Sequence, residues 1–170
     1  MNPGRGQRIS TQSAFTLVEL IMIILVIGVL AAVAVPKFSH TGFELEGAGR
    51  RFADDLRYCQ ELNLIRNGEQ WRLGLAADHY CIWRDDNGNG IREAGESYAE
   101  QPMDRQDFVV FYNRLRLDGI TSSPAVTSLG FTGRGQPDYP GWSYAGVDFV
   151  LSRGGSSITL HLESVTGYVY

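Results

Sequence analysis

Glu19 is the one carboxylate in an apolar run from Phe15 to Val35 that only Thr16, Glu19 and Gly28 interrupt. A charge among side chains that prefer lipid is expensive, so such a residue marks a functional site whose natural complement is a cation. A second set of oxygen donors is spaced more tightly. Asp85, Asn87, Asn89, Gly90 and Glu96 fit the pattern D-x-[DN]-x-[DN]-G-x5-E, with Glu93 at the ninth position. Hard ligands at alternate positions can converge on Ca²⁺, with the Ile91 carbonyl at the seventh position and Glu96 binding through both oxygens. The same residues also suit an Asx- and glycine-rich hairpin loop that holds no ion.

The two cysteines, Cys59 and Cys81, offer a third chemistry. Both lie beyond the apolar run, on the side that would be oxidising if the run crosses a membrane, which predicts a disulfide. Closing about 22 residues, it would stabilise by roughly 3 kcal/mol; the alternative is a pair of buried thiols. No catalytic constellation accompanies these groups. Gly141-Trp142-Ser143-Tyr144-Ala145 approaches a nucleophile elbow but lacks its closing glycine in register. His40, His79 and His161 are scattered without zinc-ligand spacing. An enzyme is not expected.

The elements that must position these residues follow from patterning. At about 1.5 Å per residue the apolar run reaches roughly 30 Å, enough to cross a bilayer core. Arg5 and Arg8, with no acid beside them, keep the short N-terminal segment on the cytoplasmic side. Three readings are open for this segment: a signal peptide cleaved after Ala34, a plain signal anchor, and a third that rests on a family resemblance given below. The first conflicts with the length of the run and with Glu19. From Leu45 an apolar stripe recurs at Ala48, Phe52, Leu56, Cys59 and Leu62, predicting an amphipathic helix over 36–67 that Asn67-Gly68 ends. Pro36 would kink rather than stop a helix that is continuous with the apolar one.

Beyond Gly68 the period changes to two. Strands are predicted over Gln70–Ala76, Tyr80–Arg84, Phe108–Tyr112, Arg114–Leu117, Val126–Phe131, Val147–Leu151, Ser157–Leu162 and Gly167–Tyr170, with Gly and Pro clusters between them. A helix followed by many short strands implies an α+β domain with an antiparallel sheet against the helix. Fifteen basic and 19 acidic residues give the chain a net charge of −4. An acidic domain without Lys or Arg from Glu163 to Tyr170 does not suggest a nucleic-acid partner.

The N-terminal residues resemble those of type IV pilins and type II secretion pseudopilins. That pattern is a short basic leader, a small residue, Phe, a Glu four residues later, about twenty apolar residues and Pro. Here it reads Arg5/Arg8, Ala14, Phe15, Glu19, the apolar run and Pro36, with Ala14 where the family usually has Gly. The soluble part is similar to H-type pseudopilins and minor pilins, including minor pilins of mannose-sensitive haemagglutinin-type pili. Phe52-Ala53-Asp54-Asp55-Leu56, the Arg84–Glu96 segment, Phe131-Thr132-Gly133-Arg134-Gly135 and Thr166-Gly167-Tyr168-Val169 carry that likeness.

The resemblance implies a leader, 1–14, removed by a prepilin peptidase between Ala14 and Phe15, with N-methylation of Phe15. It implies a transmembrane and assembly helix over 15–35, its amphipathic continuation over 36–67 and a β-rich periplasmic domain over 68–170. Loss of Arg5 and Arg8 would leave the mature chain at −6. Glu19 would neutralise the Phe15 amine of a neighbouring subunit, coupling assembly to extraction from the bacterial inner membrane. The expected partners are other pilin or pseudopilin subunits, the peptidase and the membrane. A membrane-anchored, Ca²⁺-dependent adhesive or ligand-binding module is the alternative function.

Overall fold

The structure, a computed structural model, describes residues 15–34, 40–66, 69–139 and 146–170; for residues 32–34 and 40–41 it describes the backbone alone. The chain divides into two compact units, Met1–Ser39 and His40–Tyr170. In the first unit the apolar run forms helix α1, Leu17–Ala34. In the second, helix α2, His40–Ile65, is followed by eight short strands among the described residues. Pro36, the join between the two helices and the Asn67-Gly68 stop lie outside the described residues.

Helix α2 owes its place to one stripe. Leu45, Ala48, Phe52, Leu56, Cys59 and Leu62 are all buried, as their spacing predicts, while Arg50, Arg57 and Asp54 remain exposed beside them. This stripe faces two antiparallel sheets. One has the order β3-β2-β1-β5-β6, built from Val109–Phe111, His79–Arg84, Trp71–Leu75, Ser128–Phe131 and Pro137–Asp138. The other has the order β4-β7-β8, built from Gly119–Ser123, Val147–Arg153 and Ser156–Leu162. Phe52 joins the two, meeting Tyr80 of the first sheet edge-on at 5.1 Å and Phe149 of the second at 5.2 Å. Edge-to-face pairs of this kind add to the stabilisation that burial of the rings supplies.

The fold is the α+β arrangement of helix and antiparallel sheet read from the sequence, with local departures. Arg114–Leu117 is not a strand. Tyr112–Leu115 forms a 3-10 turn that ends on Arg116 in the left-handed region, φ 56°. Val126 lies before its strand and Gly167–Tyr170 makes only an isolated bridge, Val169 to Leu162. Strands β4 and β6 were not anticipated; β4 is a run of Ser and Thr with one buried apolar residue, Ile120. In β1 the alternation of Trp71, Leu73 and Leu75 is real, yet Arg72 and Gly74 are buried too. Residues 85–96 cover that second face, where Ser128 Oγ donates to Gly90 O at 2.6 Å.

Two ties hold α2 at its ends. Near its start, the Glu44 carboxylate accepts from both Arg116 and Arg153, which holds its carboxyl below the ordinary range. Near its end, Gln60 Nε2 donates to Gly135 O at 2.7 Å and to Thr166 O at 2.9 Å.

Candidate functional site

The first turn of α1 opens on an N-cap that the sequence reading missed. Thr16 precedes the helix, and its Oγ1 accepts from the backbone N–H of Glu19 at 3.3 Å. The signal was present as Thr-x-x-Glu immediately before an apolar run. Glu19 therefore stands in the first turn, where a carboxylate complements the helix dipole. Phe15 lies just ahead of the helix, 74 % exposed; Ala14, the other residue of the expected cleavage site, lies outside the described residues. From Leu17 to Leu30 every large apolar side chain of α1 is at least 42 % exposed.

A helix that is apolar on every side needs lipid or other protein around it. The geometry is thus an unburied apolar rod with one acid at its beginning. No helix among the described residues is long and apolar enough to cross a membrane.

The Asp85–Glu96 segment folds as a loop that satisfies itself. Asp85 is enclosed, and its carboxylate takes Arg72 Nε at 2.6 Å, Gly88 N–H at 2.7 Å and Gly90 N–H at 2.8 Å. Burial pushes its carboxyl upward, but the bonds from Gly90, Arg72 and Gly88 outweigh burial and hold it below the ordinary carboxylate range. Asn87 Oδ1 accepts from Asn89 N–H and Asn89 Oδ1 from Ile91 N–H, at 2.9 and 2.7 Å. Both Asn amides donate to Glu93, at 3.1 and 3.0 Å. Glu96 accepts from Asp86 and Glu93 N–H, at 3.1 and 2.8 Å.

In this arrangement the residues read as Ca²⁺ ligands, Asp85, Asn87, Asn89, Ile91, Glu93 and Glu96, bond to one another and to backbone groups of the same loop. The leading carboxylate already has a buried cation in Arg72, whose Nη2 also reaches Asp138 at 3.1 Å. Among the described residues no group of three or more His, Cys, Asp or Glu is placed to hold a metal ion. The hairpin-loop reading of the segment fits the bonds observed. Arg72 is the residue that sequence reasoning overlooked, because it is polar at what reads as a solvent-facing strand position.

The expected Cys59–Cys81 disulfide is not shown: both cysteines are free and buried. Tyr80 and Ile82 belong to the core under α2, and Tyr80 Oη reaches Asp55 of that helix at 2.5 Å. Successive strand side chains alternate faces, so Cys81 points to the opposite side of the sheet from Cys59. Cys59 instead donates to Trp71 O at 3.6 Å. Burial pushes both thiols upward.

His161 is half-buried against Asp148 at 2.5 Å, and His79 sits beside Asp78 at 2.7 Å. The side chain of His40 and the segment 141–145 lie outside the described residues.

No family model matches the chain. It is 27 % identical over 150 residues to the pilin-like protein PilA1 of Thermus thermophilus, an alignment that covers 86 % of this chain and 90 % of that protein. Among solved structures it is similar to the type IV minor pilin FimU of Pseudomonas aeruginosa. The TM-score is 0.50 at 18 % identity, over 76 % of this chain and 89 % of that one.

Proposed function

We propose that this chain, a type IV pilin-family protein, serves as a minor pilin or pseudopilin: a non-enzymatic structural subunit that enters a filament through α1. One observation carries the reading. The α1 surface is apolar and unburied around its whole circumference, with one acid in its first turn. Such a surface has two stable surroundings, the bilayer before assembly and the packed helices of other subunits after it. Passing from one to the other requires that Glu19 keep a counter-charge. The new amine on Phe15 of a neighbouring subunit, released by prepilin peptidase cleavage after Ala14 and then methylated, supplies it.

One similar protein is pilin-like and the other is a type IV minor pilin, which favours a type IV pilus over a secretion pseudopilus. In the proposed topology α1 anchors the chain in the bacterial inner membrane with the second unit on the periplasmic side.

Two variants separate charge pairing from helix capping. Gln in the third helical position completes a capping box as Glu does, while Ala does not. Both Glu19→Gln and Glu19→Ala should insert in the membrane yet fail to enter filaments, as read by the chain in sheared filament fractions. Normal incorporation of Glu19→Gln would reduce Glu19 to a cap and overturn the charge pair. Mass spectrometry of the mature chain should find methylated Phe15 as its first residue; recovery of a chain starting at Val35 would refute the pathway.

A further inference from the structure

We propose that the outer edge of β8 accepts an extended strand from another protein chain, apolar on the side that faces α2. The inference does not depend on how α1 assembles.

The register of the β7–β8 hairpin fixes which backbone groups point outward. Arg153 pairs with Ser156 across the two-residue Gly154-Gly155 turn, and Leu162 with Val147 at the other end. Alternation of the antiparallel ladder then turns the N–H and C=O of His161, Thr159 and Ser157 away from β7. His161 uses both groups on Tyr170, whose O accepts and whose N–H donates back, at 2.8 and 3.1 Å. This short row from the C-terminal residues stops there. Thr159 and Ser157 continue the same line with no backbone partner among the described residues.

The other strand edges carry the usual guards against intermolecular pairing, which are shortness and proline. Strand β3 has three residues and β6 two, including Pro137, and β4 runs directly into Pro124. Strand β8 has seven residues, with neither proline nor an Asp, Glu, Lys or Arg. Among the described residues this edge, unlike its neighbours, is left unpaired at Thr159 and Ser157.

What lies beneath the edge sets the chemistry of the incoming strand. Ile158 and Leu160, half-buried against the core with Ile158 packed on Gly49, line a groove of about 400 Å³ beside α2 that Gly49 and Ala53 also line. Arg50 and Arg57 on its rim are already paired with Glu46 and Asp54. The groove thus offers apolar walls and no unpaired charge on the named rim residues. Residues of the added strand lying opposite Leu160 and Ile158 would point into it, and aliphatic side chains would fill it. Residues opposite Thr159 and Ser157 would exchange backbone hydrogen bonds with them.

The test uses the full chain in detergent micelles and a blocked seven-residue peptide alternating threonine with leucine and ending in lysine. The peptide should slow amide exchange of Thr159 and Ser157 at least tenfold. Thr159→Pro removes only an outward N–H, which an edge strand tolerates, and should abolish the protection of Ser157 with the β7 amides still protected. A peptide N-methylated at alternate residues, made in both registers, gives the same answer without altering the protein: one register should bind and the other should not. Unchanged exchange with the unmodified peptide would overturn the proposal. So would equal protection by both N-methylated peptides, which would mean an apolar ligand site indifferent to backbone. Protection that rises with protein concentration in the absence of peptide, and disappears in Thr159→Pro, would assign the edge to a second copy and overturn the partner proposed.

Discussion

Replacing Asp85 with alanine tests whether the 85–96 loop is held by its internal bonds. The substitution removes the partner of Arg72, whose side chain is only 8 % exposed, and the acceptor of the Gly88 and Gly90 amides. Breaking a buried ion pair from one side costs about 3–5 kcal/mol. Here Asp138 remains 3.1 Å from the same guanidinium and offsets part of the loss, so about 3 kcal/mol is expected. Asp138→Ala removes a half-exposed carboxylate and should cost under about 1 kcal/mol. Urea unfolding of the chain in micelles, followed through the fluorescence of buried Trp71 and Trp83, measures both.

The pH dependence has a definite sign. The folded Asp85 carboxyl lies below its ordinary range, so its contribution is present above about pH 4 and is lost as pH falls below that value. Wild type and Asp85→Ala should therefore converge in acid. Millimolar calcium should leave the wild-type midpoint in place, whereas an ion bound at a hundred times its Kd would add about 2.7 kcal/mol. A cost below about 1 kcal/mol for Asp85→Ala, or a calcium-dependent shift that this variant loses, would refute the reasoning.

Asp55 should behave oppositely. Burial raises its carboxyl despite the Tyr80 hydrogen bond, so folding favours the protonated form and that advantage fades as pH rises through the raised value. Asp55→Asn should then match wild type in acid and exceed it at pH 7 in the same unfolding assay. Gly167→Ala should destabilise by about 2 kcal/mol or more in thermal melts, because at φ 68° its Cβ would lie 2.5 Å from the Gly135 carbonyl. Thiol labelling of the denatured, unreduced chain should count two reactive cysteines, with native Cys59 reacting slowly because it is buried; a count of zero would restore the disulfide.

Much of this was legible in the residues because one period dominated each element. The stripe from Leu45 to Leu62 places α2 correctly, since six apolar positions at helical spacing have one way to be buried. The apolar run and the acid within it were equally plain. Failures arose where two faces or two roles overlapped. Arg72 reads as solvent-facing because strand alternation assumes one wet face, whereas residues 85–96 roof that face and bury it. The oxygen spacing from Asp85 to Glu96 serves Asx turns as well as cation ligands, and that spacing does not reveal Arg72 beside Asp85. Cys81 was placed on an early strand, yet its parity against Tyr80 and Ile82 already pointed it away from Cys59. Strand β4 has too little apolar content to announce itself.

The ties on α2 impose an order of events on synthesis. Glu44 meets Arg116 and Arg153, 72 and 109 residues later, Gln60 meets Thr166 after 106, and Arg57 reaches the Val169 carbonyl after 112. The helix is made early while the residues that lock it are made last. Contacts this distant along the chain slow folding, because a long loop must close before any bond is gained. The second unit therefore cannot finish maturing until its final residues have been released, and a copy truncated a few residues short would keep only the Gly135 carbonyl as a tie on Gln60.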